Sequence, residues 1–183
     1  MDVLEDLDSA INHSSAEIKS DWLPVINGHP MEIKQLFQNL IMNAIKFRDK
    51  NACPKINISV VKIEDYWEFA FADNGIGIDK QHNEKILIIF QRLHNRTEYY
   101  GSGIGLSHCK KIVELHHGKI WVKSKPGKGS SFYFTLHDNY KTEIIAENNN
   151  AINNNIQPDV NRSQFFKSIK KSKLTAYLNR IKI

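Results

Sequence analysis

The chain of 183 residues has only two cysteines, too few for a disulfide framework, and their scarcity suits a reducing compartment. Long apolar runs are also missing. The longest, residues 86–90, is far shorter than the roughly 20 residues that cross a bilayer. The sequence does not open with a charged start followed by an apolar stretch, the mark of a signal peptide. We therefore expect a cytoplasmic location and no membrane segment.

The net charge of the chain is +5, but most of the chain carries almost no net positive charge. Residues 138–183 hold eight Lys/Arg against four Asp/Glu, whereas residues 1–137 are nearly neutral. A nucleic-acid-binding body is therefore not expected. Residues 138–183 also contain the Asn-rich stretch ENNNAINNNIQPD, from residue 147 to 159, and a basic segment follows. They predict a linker and tail that are disordered or weakly helical, the alternative being an amphipathic helix for a partner.

Hydrophobic periodicity predicts the fold of residues 1–137. Helical spacing runs through residues 1–13, from Pro30 onward and through residues 104–116, and a short apolar helix is expected near residues 86–90. Alternation predicts strands in KINISVVKI, WEFAFAD, KIWVKSK and SSFYFTL, arranged as two hairpins. The pattern favours an α+β fold. We expect a two-layer α/β sandwich with a mixed, largely antiparallel sheet of about five strands and about three to four helices on one face.

The helix that begins at Pro30 carries a polar stripe beside its apolar face. Asn39, Asn43 and Lys46 fall on this stripe at helical spacing. An amide oxygen is a suitable ligand for Mg²⁺, and an ammonium suits a phosphate. The stripe indicates a site for an anion with a hard cation, although an ordinary polar helix flank would give the same pattern.

The second polar motif is FADNGIGID, where a strand ends at Asp73 and two glycines follow. An ionised aspartate is a pure acceptor and suits an exocyclic amine such as that of adenine. Gly75 and Gly77 would let a flat ring lie against the backbone. An Asp-Asn-Gly turn without a ligand is the alternative interpretation.

The third motif, GSGIGL, occupies residues 101–106 and runs into a predicted helix. It lacks the lysine of the GxxxxGK[ST] phosphate loop and the GxGxxG spacing of the dinucleotide fingerprint. The free N–H groups and the dipole of the helix that follows still favour a phosphate. Arg92 and Arg96, upstream, would add positive charge.

The order of these motifs resembles that in the ATP-binding domain of sensor histidine kinases, in the superfamily with DNA gyrase, Hsp90 and MutL. NLIMNAIKF is similar to the N box, DNGIGID to the first glycine box, IIFQRLH to the F box and GSGIGL to the second glycine box. Residues 89–136 are especially similar to phytochrome-like bacterial kinases. The resemblance covers residues 1–137 and implies the family's ATP-binding (Bergerat) fold, whose usual first strand is missing or clipped before Asp2.

The resemblance also implies a role for each matching residue, with ATP and Mg²⁺ as ligands. Asn43 would bind Mg²⁺, Asn39 would lie beside the triphosphate, and Lys46 and Arg92 would contact phosphates. Asp73 would accept the adenine amine above Gly75 and Gly77, and Ser131 would support adenine through a water. Phe47 would border the pocket or belong only to the core. The lid hinge would comprise Gly101, Gly103, Gly105 and Leu106.

The resemblance bears on mechanism as well. Hydrolytic members of the superfamily carry Glu at the position of Asn39, and a carboxamide cannot act as a general base. We therefore expect transfer of the γ-phosphoryl group to a histidine of a separate dimerisation hairpin, and indirectly to a response regulator. None of the eight histidines has the family's acceptor context. Four are expected on the lid or on helix surfaces: His94, His108, His116 and His117.

Other functions are compatible with the same motifs. One is a nucleotide-binding regulatory module that acts through a protein partner without phosphotransfer. Two further alternatives are phosphorylation of a protein serine and a purely structural domain. They differ in the acid stability of the product and in whether ATP binds at all.

Overall fold

The computed structural model describes residues 3–49, 51–83, 85–88 and 103–138. Arg92, Gly101 and residues 139–183 lie outside these ranges, as do most of the F box and Arg96. The helices are α1 (Val3–Ser14), α2 (Pro30–Lys46) and α3 (Gly105–Leu115), with short 3₁₀ turns at Lys80–His82 and Lys85–Leu87. The strands are β1 (Glu17–Ser20), β2 (Lys55–Ile63), β3 (Tyr66–Asp73), β4 (Ile120–Ser124) and β5 (Ser130–His137).

The described strands form one five-stranded sheet in the order β1-β2-β3-β5-β4. β1 runs parallel to β2, and the other neighbouring pairs are antiparallel. The two predicted hairpins are confirmed. The β2–β3 connection is only two residues long and Glu64 takes a positive φ there, while Gly127 and Gly129 take positive φ between β4 and β5. The prediction of a mixed, largely antiparallel sheet is therefore confirmed.

One face of the sheet is apolar and carries the helices. Along β5 the side chains alternate between buried and half-buried, and the neighbouring β3 follows the same two-residue period near its end. The apolar stripe of α2 covers this face, and the Phe37 ring packs edge-on against Phe69, Phe71 and Phe134 at centroid distances of 5.0–6.0 Å. The two-layer α/β sandwich is thus confirmed.

Helix α3 packs beside α2, and α1 is held to α2 by polar contacts. The predicted core positions of α3, Cys109, Ile112 and Val113, are all buried. Asp6 of α1 pairs with Lys34 and accepts a hydrogen bond from Gln38 at 2.7 Å. The C-terminal half of α2 lies next to the first turn of α3, where Asn39 is beside Gly105.

The prediction that His116 lies on a helix surface is wrong, because its side chain is 0% exposed. Its Nε2 accepts a hydrogen bond from the His29 backbone N–H at 3.0 Å, and its Nδ1 lies 2.8 Å from the Ile112 carbonyl oxygen. His116 therefore joins the C-terminus of α3 to the residue that precedes α2. An unprotonated Nε2 is required as the acceptor, so Nδ1 carries the proton and donates it to Ile112.

We expect His116 to make the domain sensitive to mild acid. Burial lowers the pKa of His116, and a neighbouring His29 acts in the same direction. A histidine whose pKa is lowered by folding contributes stability above its unfolded pKa of about 6.5, and this contribution is lost as the pH falls. His116→Gln should lower the free energy of unfolding by about 1–3 kcal/mol at pH 7.5. His116→Gln should also reduce the fall in the free energy of unfolding between pH 7.5 and pH 5.5. Denaturant unfolding at both pH values measures the two effects.

The exposed His108, also on α3, gives the matched control. His108→Gln should leave both the stability and its pH dependence unchanged. An equally steep acid decline in His116→Gln and in the wild type would contradict the role given to His116.

Candidate functional site

The predicted polar residues of α2 lie where three elements meet: the C-terminal half of α2, the end of β3 and the first turn of α3. A side chain added at Gly105 of α3 would lie 3.6 Å from Asn39 Oδ1, so the two helices are in contact there. The Ile76 N–H donates to the Phe47 carbonyl oxygen at 3.0 Å, which ties the loop after β3 to the end of α2. Motifs separated by 29 residues (Phe47 and Ile76) and by 66 residues (Asn39 and Gly105) are thus neighbours in the fold.

Asp73 ends β3 on the helix-covered face of the sheet, two residues after the buried Phe71. Its Oδ1 accepts two backbone hydrogen bonds, from Gly75 N–H at 2.8 Å and from Ser130 N–H at 3.1 Å. Burial raises the pKa of Asp73, and the two N–H donors lower it. Both bonds use Oδ1, and Oδ2 has no hydrogen-bond partner among the described residues. The site therefore presents one oriented carboxylate oxygen as an acceptor.

The structure places Ser130, and not Ser131, beside Asp73. Along β5 the inward positions are Ser130, Phe132, Phe134 and Leu136, so Ser131 lies on the opposite face of the sheet. Ser130 is 7% exposed, and its Oγ lies 2.9 Å from Ser124 Oγ. Ser130, rather than Ser131, is therefore the serine of β5 on the side of the sheet that carries Asp73. The alternation of SSFYFTL indicates that Ser130 is the inward serine, because the large apolar residues of this strand occupy the same face as Ser130.

The glycines of the first glycine box allow other backbone segments of the same chain to approach closely. A Cβ at Gly75 would lie 2.5 Å from the Phe47 carbonyl oxygen. A Cβ at Gly77 would overlap the Lys125 carbonyl oxygen of the β4–β5 turn. At each glycine another backbone segment occupies the place of a side chain, and the expectation that both lie beneath a flat ring stays a prediction. The loop is anchored further by the bond from Gly127 N–H to the Ile76 carbonyl oxygen at 2.8 Å.

Two amide side chains of α2 lie one helical turn apart. Asn43 is half-buried, and its Nδ2 is a buried polar atom without a hydrogen-bond partner in the described part of the chain. Asn39 Oδ1 accepts a hydrogen bond from Gln35 Nε2 at 3.4 Å. Burial raises the pKa of the Cys109 thiol to about 12, against the effect of a hydrogen bond with the Asn39 side chain. An unpaired buried amide at Asn43 indicates a position that a ligand would complete.

Lys46 and Phe47 close the C-terminal end of α2. Lys46 Nζ lies 4.7 Å from the centre of the Phe47 ring, a cation–π contact. Phe47 is the C-cap of α2 and is half-buried, so it borders the hydrophobic core rather than belonging to it. This geometry favours the predicted pocket-side position of Phe47 over a purely core role.

The described part of the second glycine box leads directly into α3. Gly103 has a positive φ of 76°, and α3 starts at Gly105 after its N-cap, Ile104. Leu106 is half-buried and packs against the core. Because the first N–H groups of a helix have no partner within the helix, this end of α3 presents donors and a positive dipole toward Asn39.

His137 lies at the opposite end of the sheet from this site. It ends β5, whereas Ser130 begins that strand beside Asp73. Seven residues of extended strand separate them by about 23 Å. His137 packs edge-on against Tyr66, with ring centroids 4.9 Å apart. The dipeptide His137-Asp138 is therefore out of reach of groups bound at Asp73 within one chain.

The two-layer sandwich, with a carboxylate at the end of a central strand and amides on the facing helix, defines the class as an ATP-binding α/β domain. A family model described as the histidine kinase-, DNA gyrase B- and HSP90-like ATPase matches residues 28–139, and the chain belongs to this family. It is a domain of the histidine-kinase type that is used in two-component signalling. The expected resemblance is thereby confirmed.

The sequence relatives include phytochromes of cyanobacteria. The chain is 51% identical over 133 residues to cyanobacterial phytochrome A of Nostoc sp. (strain PCC 7120), covering 73% of this chain and 17% of that protein. It is 50% identical over 133 residues to the phytochrome-like protein Cph1 of Synechocystis sp. (strain PCC 6803), covering 73% and 18%. The chain thus spans less than a fifth of the length of these relatives.

Solved structures give the same fold. The catalytic domain of histidine kinase ThkA, in a nucleotide-free form, matches with a TM-score of 0.62 and 27% identity over 74% of this chain and 88% of that one. In the described ranges no helix has both the length and the apolar character needed to cross a membrane.

Proposed function

We propose that this domain binds Mg-ATP and supplies its γ-phosphoryl group to a histidine on a separate dimerisation hairpin, with a response regulator downstream. The observation that carries the proposal is the Asp73 carboxylate. One of its oxygens is fixed by two backbone N–H groups, and the other is left to accept an exocyclic amine. We assign this role to residues 1–137, which we place in the cytoplasm with their ATP, and we treat residues 138–183 as a separate segment.

The residues present fit a magnesium ion. Mg²⁺ usually takes one or two protein oxygen ligands and completes its shell with water and substrate phosphates. Asn43 offers an amide oxygen of the kind that ligates Mg²⁺, and its buried, unpaired Nδ2 is a donor that a phosphate oxygen beside the ion would satisfy. When bound, the ion would neutralise charge on the triphosphate. We propose Asn43 as its protein ligand.

The other residues bind and orient the nucleotide. Asp73 accepts the adenine amine, and Ser130 takes the supporting place beside it. The first turn of α3 offers N–H donors to phosphates, and Lys46 adds a cation from α2. Arg92 and Gly101 keep their proposed roles at the phosphates and the lid hinge from the sequence alone, since both lie outside the described residues.

The proposed chemistry is transfer rather than hydrolysis. Asn39 stands nearest the first turn of α3, and a carboxamide cannot take a proton from water. The imidazole of a separate hairpin needs no such base, because its unprotonated nitrogen is already a nucleophile. What this domain must supply is a fixed nucleotide and neutralised charge.

The test combines the full chain with a separately produced dimerisation hairpin that bears its acceptor histidine, Mg²⁺ and γ-labelled ATP. We expect label on the hairpin that is lost in acid and retained in base, as a phosphohistidine should be, and none on a hairpin whose histidine is replaced by glutamine. ATP binding without transfer to any such hairpin would contradict the phosphotransfer and leave the regulatory module as the function. An acid-stable product would indicate a serine acceptor.

A further inference from the structure

The Asn39 carboxamide is held on three sides, by residues of two helices. Its Oδ1 accepts from Gln35 Nε2 at 3.4 Å, one turn earlier on α2. The same oxygen is the atom closest to the position that a Gly105 side chain would take, at 3.6 Å. The Asn39 side chain also lies beside Cys109, a fully buried residue one turn further along α3 whose thiol donates to the Leu36 carbonyl oxygen at 4.0 Å.

These contacts distinguish the two ends of the amide. An asparagine side chain has an acceptor end and a donor end of nearly the same shape, and its neighbours decide which end faces which way. Because Oδ1 is taken by the Gln35 donor, Nδ2 is the group that can donate to the Cys109 sulfur. The carbonyl oxygen then faces Gly105, at the beginning of α3. With Gln35 oriented as observed, a flipped Asn39 amide would place two donors against each other.

The orientation matters for a hydrated cation. A carbonyl oxygen accepts hydrogen bonds from metal-bound water, whereas an NH₂ group in its place would repel that water's protons. We propose that Gln35 is a positioning residue for the nucleotide site, because it holds the Asn39 carbonyl oxygen at the first turn of α3 as an acceptor for the cation that accompanies the triphosphate. The inference rests on the proposed function, since it names a positioning residue of that same nucleotide site.

A simpler role for Gln35 is to stabilise α2, since i,i+4 pairs of this kind add slightly to helix stability. The neighbouring Gln38 has a structural role, since its Nε2 donates to Asp6 of α1 at 2.7 Å, on the part of α2 that faces α1. Gln38 therefore supplies a control with the same side chain on the same helix, bonded away from Asn39.

The experiment measures the affinity of the full chain for a nonhydrolysable ATP analogue, with and without Mg²⁺, by calorimetry. In Gln35→Met, which keeps the length of the side chain but cannot donate, we expect the Mg²⁺-supported affinity to fall about five- to tenfold, the loss of one hydrogen bond. The affinity without Mg²⁺ should not change, and the melting temperature should stay within about 2 °C. Gln38→Met should change the melting temperature alone.

A double-mutant cycle shows whether Gln35 acts through Asn39. In an Asn39→Ala background, Gln35→Met should have no further effect on affinity. Gln35→Glu offers a second probe, because its carboxylate can pair only with the Nδ2 end. Gln35→Glu should weaken binding more in the wild-type background than in the Asn39→Ala background, where only the effect of its negative charge remains. Equal losses in both backgrounds, or wild-type affinity in Gln35→Met, would overturn the positioning role. A wild-type chain that binds no analogue would instead overturn the proposed function.

Discussion

Replacing Asp73 with asparagine is expected to abolish nucleotide binding while the domain stays folded. In the wild type the two backbone donors, Gly75 N–H and Ser130 N–H, both bond to Oδ1. An asparagine can satisfy them only with its carbonyl oxygen, so its NH₂ group must take the place of Oδ2. That group would face the adenine amine as a second donor. We expect the affinity for an ATP analogue to fall about 100-fold or more, measured by calorimetry.

Loss of folding does not explain this result, because Asp73 costs stability at neutral pH. Burial raises its pKa, so the folded state binds the proton more tightly than the unfolded chain does. The stability contributed by such a carboxyl is present below its unfolded pKa and is lost as the pH rises through its folded pKa. An uncharged asparagine avoids that loss. Asp73→Asn should therefore unfold at the same denaturant concentration as the wild type at pH 7, or at a higher one.

Two further variants make the Asp73 result specific. Glu68 lies on the same strand, at a position of the opposite face, and Glu68→Gln should leave the affinity unchanged. Asn43→Ala should mainly remove the Mg²⁺ dependence of binding. Retention of affinity in Asp73→Asn would contradict the assignment of the adenine contact to this carboxylate.

Local patterns predicted the elements well, and they also supply the main candidate site residues. Asn39 and Asn43 follow from the 3.6-residue period of one helix, and Asp73 follows from the end of one alternating strand. Each of these inferences uses a few neighbouring residues only. The contact between Asn39 and the first turn of α3 could not be read in this way, because it depends on how two helices separated by more than fifty residues pack on the sheet.

The environments of two residues, Ser130 and His116, were missed although the sequence contained their signal. Ser130 occupies the inward phase set by Phe132 and Phe134, so counting back along the strand distinguishes it from Ser131. His116 continues the buried stripe of Cys109, Ile112 and Val113, and chemistry alone suggested a surface position for it. In both cases the period of the element predicts the side-chain environment better than the residue type does.

The glycines illustrate what no local pattern supplies. The turn chemistry of Asp-Asn-Gly explains why the chain bends after Asp73, but not which atoms approach it. The structure shows that the β4–β5 turn fills the space beside Gly77. That approach brings the N–H of Ser130 to Asp73, so the glycine acts on the site through the backbone that orients the carboxylate.

Gly77→Ala is accordingly expected to destabilise the domain far more than the same substitution at Gly127. The two glycines have nearly equal positive φ angles, 71° and 70°, so alanine suffers the same backbone strain of about 1–2 kcal/mol at both. A Cβ at Gly127 meets nothing within 4 Å, whereas a Cβ at Gly77 overlaps the Lys125 carbonyl. We expect losses of about 1 kcal/mol for Gly127→Ala and about 3–5 kcal/mol for Gly77→Ala, measured by denaturant unfolding.

The comparison isolates the close approach from the strain, because only the approach differs between the two positions. A loss of 3–5 kcal/mol is a large part of the roughly 5–15 kcal/mol that stabilises a domain, so Gly77→Ala should also bind nucleotide weakly where it remains folded. Displacing the turn moves the Ser130 N–H away from Asp73 Oδ1 and frees the carboxylate to rotate. Equal destabilisation by the two substitutions would contradict the packing of the loop on the β4–β5 turn, and with it the explanation of how Asp73 is oriented.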